Sequence, residues 1–164
     1  MKKLAAIVSF VVCLSISGAA QAASGCYTQR EVEAEQGLRI TSELMVIGLT
    51  CIKMPGGQNL YSKYQQFTQK NQSLISGYEA DMIAYYRKQG SANAEKDFHT
   101  MRTGLANSIS KQAIKMSTVS FCNNFKGRLD KALGMSQQDV RKWAQHVWPN
   151  SPTTHPICAQ AAKK

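Results

Sequence analysis

Apolar residues recur at helical spacing along most of the chain. Val32, Ile40, Leu44, Ile47 and Cys51 are separated by steps of three, four or twice four, the spacing that lines one face of a helix. Thr28-Gln29-Arg30-Glu31 precedes them as a capping box, in which the threonine hydroxyl and the glutamate satisfy free backbone donors. The spacing predicts a first helix from this box to about Lys53. From Leu44 to Leu49 the side chains are apolar on every side, which predicts a helix buried on most faces and central in the fold. Pro55-Gly56-Gly57 ends it and turns the chain.

A second helix is predicted over Gln58–Gln89. Leu60, Tyr64, Phe67, Asn71, Leu74, Tyr78, Met82 and Tyr85 share one face. Gly77 allows a bend or a close neighbour. Arg87 and Lys88 oppose the negative helix end, and Gly90 terminates it. Ser91 is placed to cap a third helix running to about Met116, with a stripe of Phe98, Met101, Leu105, Ile109 and Met116 widened by Ala106 and Ala113. A fourth segment near Val119–Leu133 carries Phe121, Cys122, Phe125 and Leu129, and Gly134 breaks it. Ser136-Gln137-Gln138-Asp139 opens a short helix with Val140, Trp143, Ala144 and Val147 inward. Trp148-Pro149 ends that helix, and the proline-rich stretch to Pro156 reads as extended until Cys158 anchors it. No strand-like alternation of useful length and no internal repeat occurs. Short links imply antiparallel neighbours. The expected fold is all-α: an up-and-down bundle of four main helices plus a short C-terminal helix.

The opening residues break this pattern. Lys2 and Lys3 precede an apolar run from Leu4 to Ile16, and Ala20-Gln21-Ala22 supplies small residues at the cleavage positions. That order reads as a secretory signal peptide over 1–22, with a run too short to span a bilayer. The expectation is a single helical domain over 23–164, with 149–164 as an extended tail. The short, lysine-led signal looks bacterial, so the destination would be the periplasm or the medium. An alternative is a lipoprotein box at Ala23-Ser24-Gly25-Cys26, anchoring the chain by a lipid on Cys26. Ala23 stands where such boxes carry a large apolar residue, and lipidation would leave three cysteines to pair.

Cysteine usage follows from export. Cys13 lies in the signal, leaving Cys26, Cys51, Cys122 and Cys158. Four cysteines in an oxidising compartment read as two disulfides with three possible connectivities. Cys51–Cys122 would join two core helices, and Cys26–Cys158 would tie down both ends; this pairing is the one expected. No Cys-x-x-Cys is present, and His155-x-x-Cys158 has no matching half, so no metal site and no cofactor are expected.

The stretch Ser42-Glu43-Leu44-Met45-Val46-Ile47-Gly48-Leu49-Thr50-Cys51, with Tyr61-x-x-Tyr64-x-x-Phe67 and Phe121-Cys122, resembles a group of small exported helical proteins of alphaproteobacteria with four cysteines in the mature chain. The resemblance implies an exported helical domain and supports joining Cys51 to Cys122. It carries over no catalytic or binding residue.

Candidate chemistry is sparse. Glu43 precedes the all-apolar turn of the first helix. It is either a desolvated carboxylate suited to proton transfer or substrate binding or one half of an ion pair with an arginine, such as Arg39, Arg87 or Arg102, at the edge of the core. The histidines are His99, His146 and His155, and none sits in a recognised catalytic pattern. Tyr85-Tyr86-Arg87-Lys88 mixes aromatics with cations, but no nucleic-acid module accompanies them. Met45, Met54, Met82, Met101, Met116 and Met135 read as core filler rather than as an adaptable groove. The whole chain is at +10. Removing Lys2 and Lys3 leaves an excess of about +8, which favours acidic partners. The leading expectation is a non-enzymatic, exported interaction protein presenting a basic helical surface to a protein or an anionic envelope component. The alternatives are a small periplasmic hydrolase using Glu43 or a histidine, and an envelope stress chaperone.

Overall fold

The structure is a computed structural model that describes residues 25–159. The signal peptide read at 1–22 and the end of the tail lie outside the described residues. Seven helices follow in order among the described residues: α1 (Gln29–Thr50), α2 (Leu60–Lys70), α3 (Gln72–Lys88), α4 (Ala94–Met116), α5 (Thr118–Phe125), α6 (Gly127–Gly134) and α7 (Gln137–Ala144). They form an all-α bundle with two disulfides. Extended backbone pairs only at two isolated bridges among the described residues, Tyr27 with Ile157 and Trp148 with Ser151.

Helix α1 is the centre and touches each of the other six. Its capping box forms: the backbone N–H and the hydroxyl of Thr28 both donate to Glu31. Val32, Leu38, Leu44, Ile47 and Cys51 are buried. The expected all-round burial of Leu44–Leu49 is corrected at its end, because Leu49 is 53% exposed. Gly37 leaves room for a neighbour, since a Cβ there would lie 2.2 Å from Cε2 of Tyr78. Gly57 does the same in the following turn, where a Cβ would meet the carbonyl oxygen of Cys51 at 1.9 Å.

Two rods expected to be continuous are each divided. The second breaks at buried Asn71, whose backbone has φ −108° and ψ 18°. Its side-chain amide and its backbone N–H both donate to the carbonyl of Phe67, at 2.9 and 3.1 Å. A side chain competing for a ladder acceptor bends the helix there. The fourth breaks at Lys126, where the N–H of Leu129 reaches back three residues at 3.4 Å and Gly127 offers poor helix propensity. The third rod is capped by Asn93 instead of Ser91: its side chain accepts from the N–H of Lys96 at 3.0 Å. Ser91 braces that cap, accepting from the N–H of Asn93 and donating to Asp97. Helix α7 starts on the expected box, with Ser136 and Asp139 bonding each other reciprocally.

Both disulfides join as expected. Cys51–Cys122 ties the end of α1 to α5 with Cα atoms 5.6 Å apart, and Cys26–Cys158 ties the two flanks of the bundle at 5.0 Å. The up-and-down path gives the bundle two distinct ends. One gathers the C-termini of α1 and α4 with the starts of α2 and α5, around Cys51–Cys122. The other gathers the start of α1, the 88–94 link, α7 and the tail. No helix among the described residues is long and apolar enough to cross a membrane.

Candidate functional site

The candidate residues separate instead of converging. Glu43 is largely buried and forms an ion pair with Arg128 of α6. Its partner is therefore none of the expected Arg39, Arg87 or Arg102. The guanidinium of Arg128 also lies over the Phe125 ring, 4.5 Å from its centroid. Burial pushes the Glu43 carboxyl above its ordinary range, and the nearby Arg128 and Arg39 guanidiniums pull it back only in part. Arg39 is taken by Glu35, one turn earlier on α1, at 3.0 Å. Arg102 pairs with Glu79 across α3 and α4 at 2.5 Å, and Arg87 meets Glu95 at the surface at 3.9 Å. His99 and His146 are exposed. The His146 ring rests against Trp148, and His155 packs on Tyr27 and Tyr85. No hydrogen bond or ion pair joins a histidine to Glu43, and no group of three potential metal ligands comes together among the described residues.

The polar centre that sequence reasoning missed is Glu35. It is fully buried, with 0% exposure. Its carboxylate accepts from Arg39, from the backbone N–H of Thr154 at 3.0 and 3.1 Å, and from the Thr154 hydroxyl at 2.5 Å. Arg39 also donates to the carbonyl of Pro152 at 2.9 Å, and the Tyr27 hydroxyl bonds that of Thr154 at 2.9 Å. Tyr27 and Cys158 then complete the seam: the Tyr27 N–H donates to the carbonyl of Pro156, and the Cys158 N–H to that of Tyr27. The C-terminal segment is thus a strap stitched to the first turns of α1. The disulfide occupies the Cys26 sulfur, so a lipid thioether there and this bridge exclude each other. A groove of about 640 Å³ lies between the strap and α4, floored by Met101 and Leu105 and rimmed by Arg39, Tyr86 and His155. The Arg39 charge at its rim is already neutralised by Glu35.

Charge is arranged unevenly around this frame. No carboxylate occurs between Glu43 and Glu79, nor between Asp97 and Asp130. These two stretches meet at the Cys51–Cys122 end. Lys53, Lys111 and Lys115 are exposed there and take part in none of the ion pairs among the described residues. Leu49, Ile52, Ile114 and Val119 are exposed at the same end, at 53, 41, 77 and 54%. Lys111, Ile114 and Lys115 share one face of α4 by their spacing. The opposite end differs: Glu33 there accepts from Tyr78, Arg141 and Gln145, and Arg30 pairs with Asp81. The candidate functional site is accordingly a surface, the basic and apolar end around Cys51–Cys122.

Comparison of the chain with family models, with curated proteins and with solved structures finds no match.

Proposed function

We propose that this is an exported, non-enzymatic interaction protein of the bacterial envelope, and that the Cys51–Cys122 end is its binding surface for an anionic component. The supporting observation is the segregation of charge. Two chain stretches empty of carboxylates converge on one end, and Lys53, Lys111 and Lys115 there take part in none of the ion pairs among the described residues. Net charge alone speaks only to general association, whereas cations grouped at one end direct a partner to a place. Two disulfides support an oxidising destination. A binding surface held by a covalent bond at its centre loses little freedom when a partner arrives, which favours affinity.

The test compares equal charge changes at the two ends. Purified residues 23–164 should be retained on an anionic matrix at physiological salt. Lys53→Glu, Lys111→Glu and Lys115→Glu together should abolish retention. Lys88→Glu, Lys96→Glu and Lys142→Glu, at or towards the other end, should leave most of it. Equal loss from both triplets would show a diffuse charge effect and sink the assignment of a site.

A further inference from the structure

Four of the six exposed large apolar side chains among the described residues are Leu49, Ile52, Ile114 and Val119. All belong to the Cys51–Cys122 end, with three lysines among them that join none of the ion pairs among the described residues. A surface that only gathered a soluble polyanion would need the lysines and gain nothing from the aliphatic side chains. A second copy of the chain would bring lysines against lysines. Large aliphatic groups beside cations, with no carboxylate in either stretch, instead match a layer that is anionic at its face and hydrocarbon beneath.

We propose that this end docks on the surface of an anionic phospholipid bilayer. Leu49, Ile52, Ile114 and Val119 enter the headgroup layer, and Lys53, Lys111 and Lys115 meet lipid phosphates. The geometry suits shallow contact and not insertion. Leu49 and Ile114 sit in the last turns of α1 and α4, Ile52 in the turn after α1 and Val119 in the first turn of α5, and no described helix can cross a membrane. Lys126 stays out of the contact set, because it holds the carbonyl of Pro55 at 3.3 Å and so closes the turn behind Ile52. The proposal rests on the interaction reading above and names its partner.

Flotation with vesicles tests it. Oxidised residues 23–164 should float with equal parts of phosphatidylglycerol and phosphatidylethanolamine, and stay behind with phosphatidylcholine. Replacing Lys53, Lys111 and Lys115 by Gln should weaken binding roughly a hundredfold, from the contribution of each basic residue near an anionic surface. Replacing Leu49, Ile114 and Val119 by Ser should weaken it at least tenfold with the lysines intact. All six positions are exposed, and unchanged circular dichroism and melting would confirm the folds. Trp148, towards the other end, should not be quenched by brominated lipid. Flotation unaffected by the serine variant would mean adsorption by charge alone and would overturn the proposal. So would quenching of Trp148, or sedimentation showing a dimer that the serine variant dissolves. Absence of flotation, with lysine-dependent retention on polyphosphate, would overturn the bilayer but leave the basic surface standing. Loss of both would remove the two readings together.

Discussion

Removing the Glu35 carboxylate should unseat the strap at a cost that its surroundings define. The group is fully buried and accepts from Arg39 and from both the N–H and the hydroxyl of Thr154. Glu35→Ala would leave the Arg39 guanidinium, whose side chain is 15% exposed and whose Nε already lacks a partner, as an uncompensated charge. Breaking a buried pair from one side costs roughly 3–5 kcal/mol. Arg39 would keep the Pro152 carbonyl, so the lower part of that range, about 3 kcal/mol, is expected. Arg39→Ala should cost a similar amount by stranding the carboxylate. Glu35→Leu with Arg39→Met removes both charges and takes the partners from the Thr154 donors and the Pro152 carbonyl, about 2 kcal/mol. The double variant should therefore be more stable than either single one. Urea unfolding of the oxidised protein measures this, with intact mass confirming both disulfides. Single losses that simply add in the double variant would refute the coupling and with it the view of the strap as one network.

Replacing Cys51 and Cys122 by Ala should lower stability by about 4 kcal/mol, and replacing Cys26 and Cys158 by about 5, from the 71- and 132-residue separations in the chain-entropy relation; denaturant titration of each pair checks the order. Gly37→Ala should cost about 1–3 kcal/mol by overpacking, because Tyr78 is fixed by its bond to Glu33 at 3.0 Å and cannot give way freely; a melting shift near zero would contradict it. Glu43 binds its proton more tightly in the fold than in the open chain. Its contribution is therefore complete below its ordinary value of 4.5 and declines as pH rises through the raised one. Glu43→Gln should remove that decline, seen as a mutant-minus-wild-type melting difference that grows from pH 4 to 7.

The local signals in the sequence translated well. Thr28 with Glu31 and Ser136 with Asp139 are caps whose partners lie three residues away, so spacing suffices to find them. The stripe of Phe98, Met101, Leu105 and Ile109 is buried as its period demands. An even number of cysteines pointed to two disulfides, and the choice among three pairings came from joining two core helices and tying down both ends. Asn71 misled because it sits in register on the apolar face, with neither glycine nor proline beside it; only its contact with the Phe67 carbonyl shows the bend. Glu35 was invisible for another reason. Its principal partner, Thr154, is 119 residues away, in a segment whose prolines signal extension but not destination. Glu43 was assigned to arginines within reach along α1 or on the long neighbouring helices, while its actual partner, Arg128, is carried in by a rod that first breaks at Lys126. The basic end was legible as two carboxylate-free stretches, but their meeting required the topology.

The two sulfur bridges are nested, Cys51–Cys122 lying wholly inside the span closed by Cys26–Cys158. Between positions 26 and 158 the polypeptide is thus a closed ring, and a single proteolytic nick in any of its loops opens the ring without shedding a fragment. Such a nicked molecule would differ from the intact one only by a water molecule and would travel as full length on a non-reducing gel. In a compartment populated by proteases, damage to the 88–94 link would become visible only after a reductant is added.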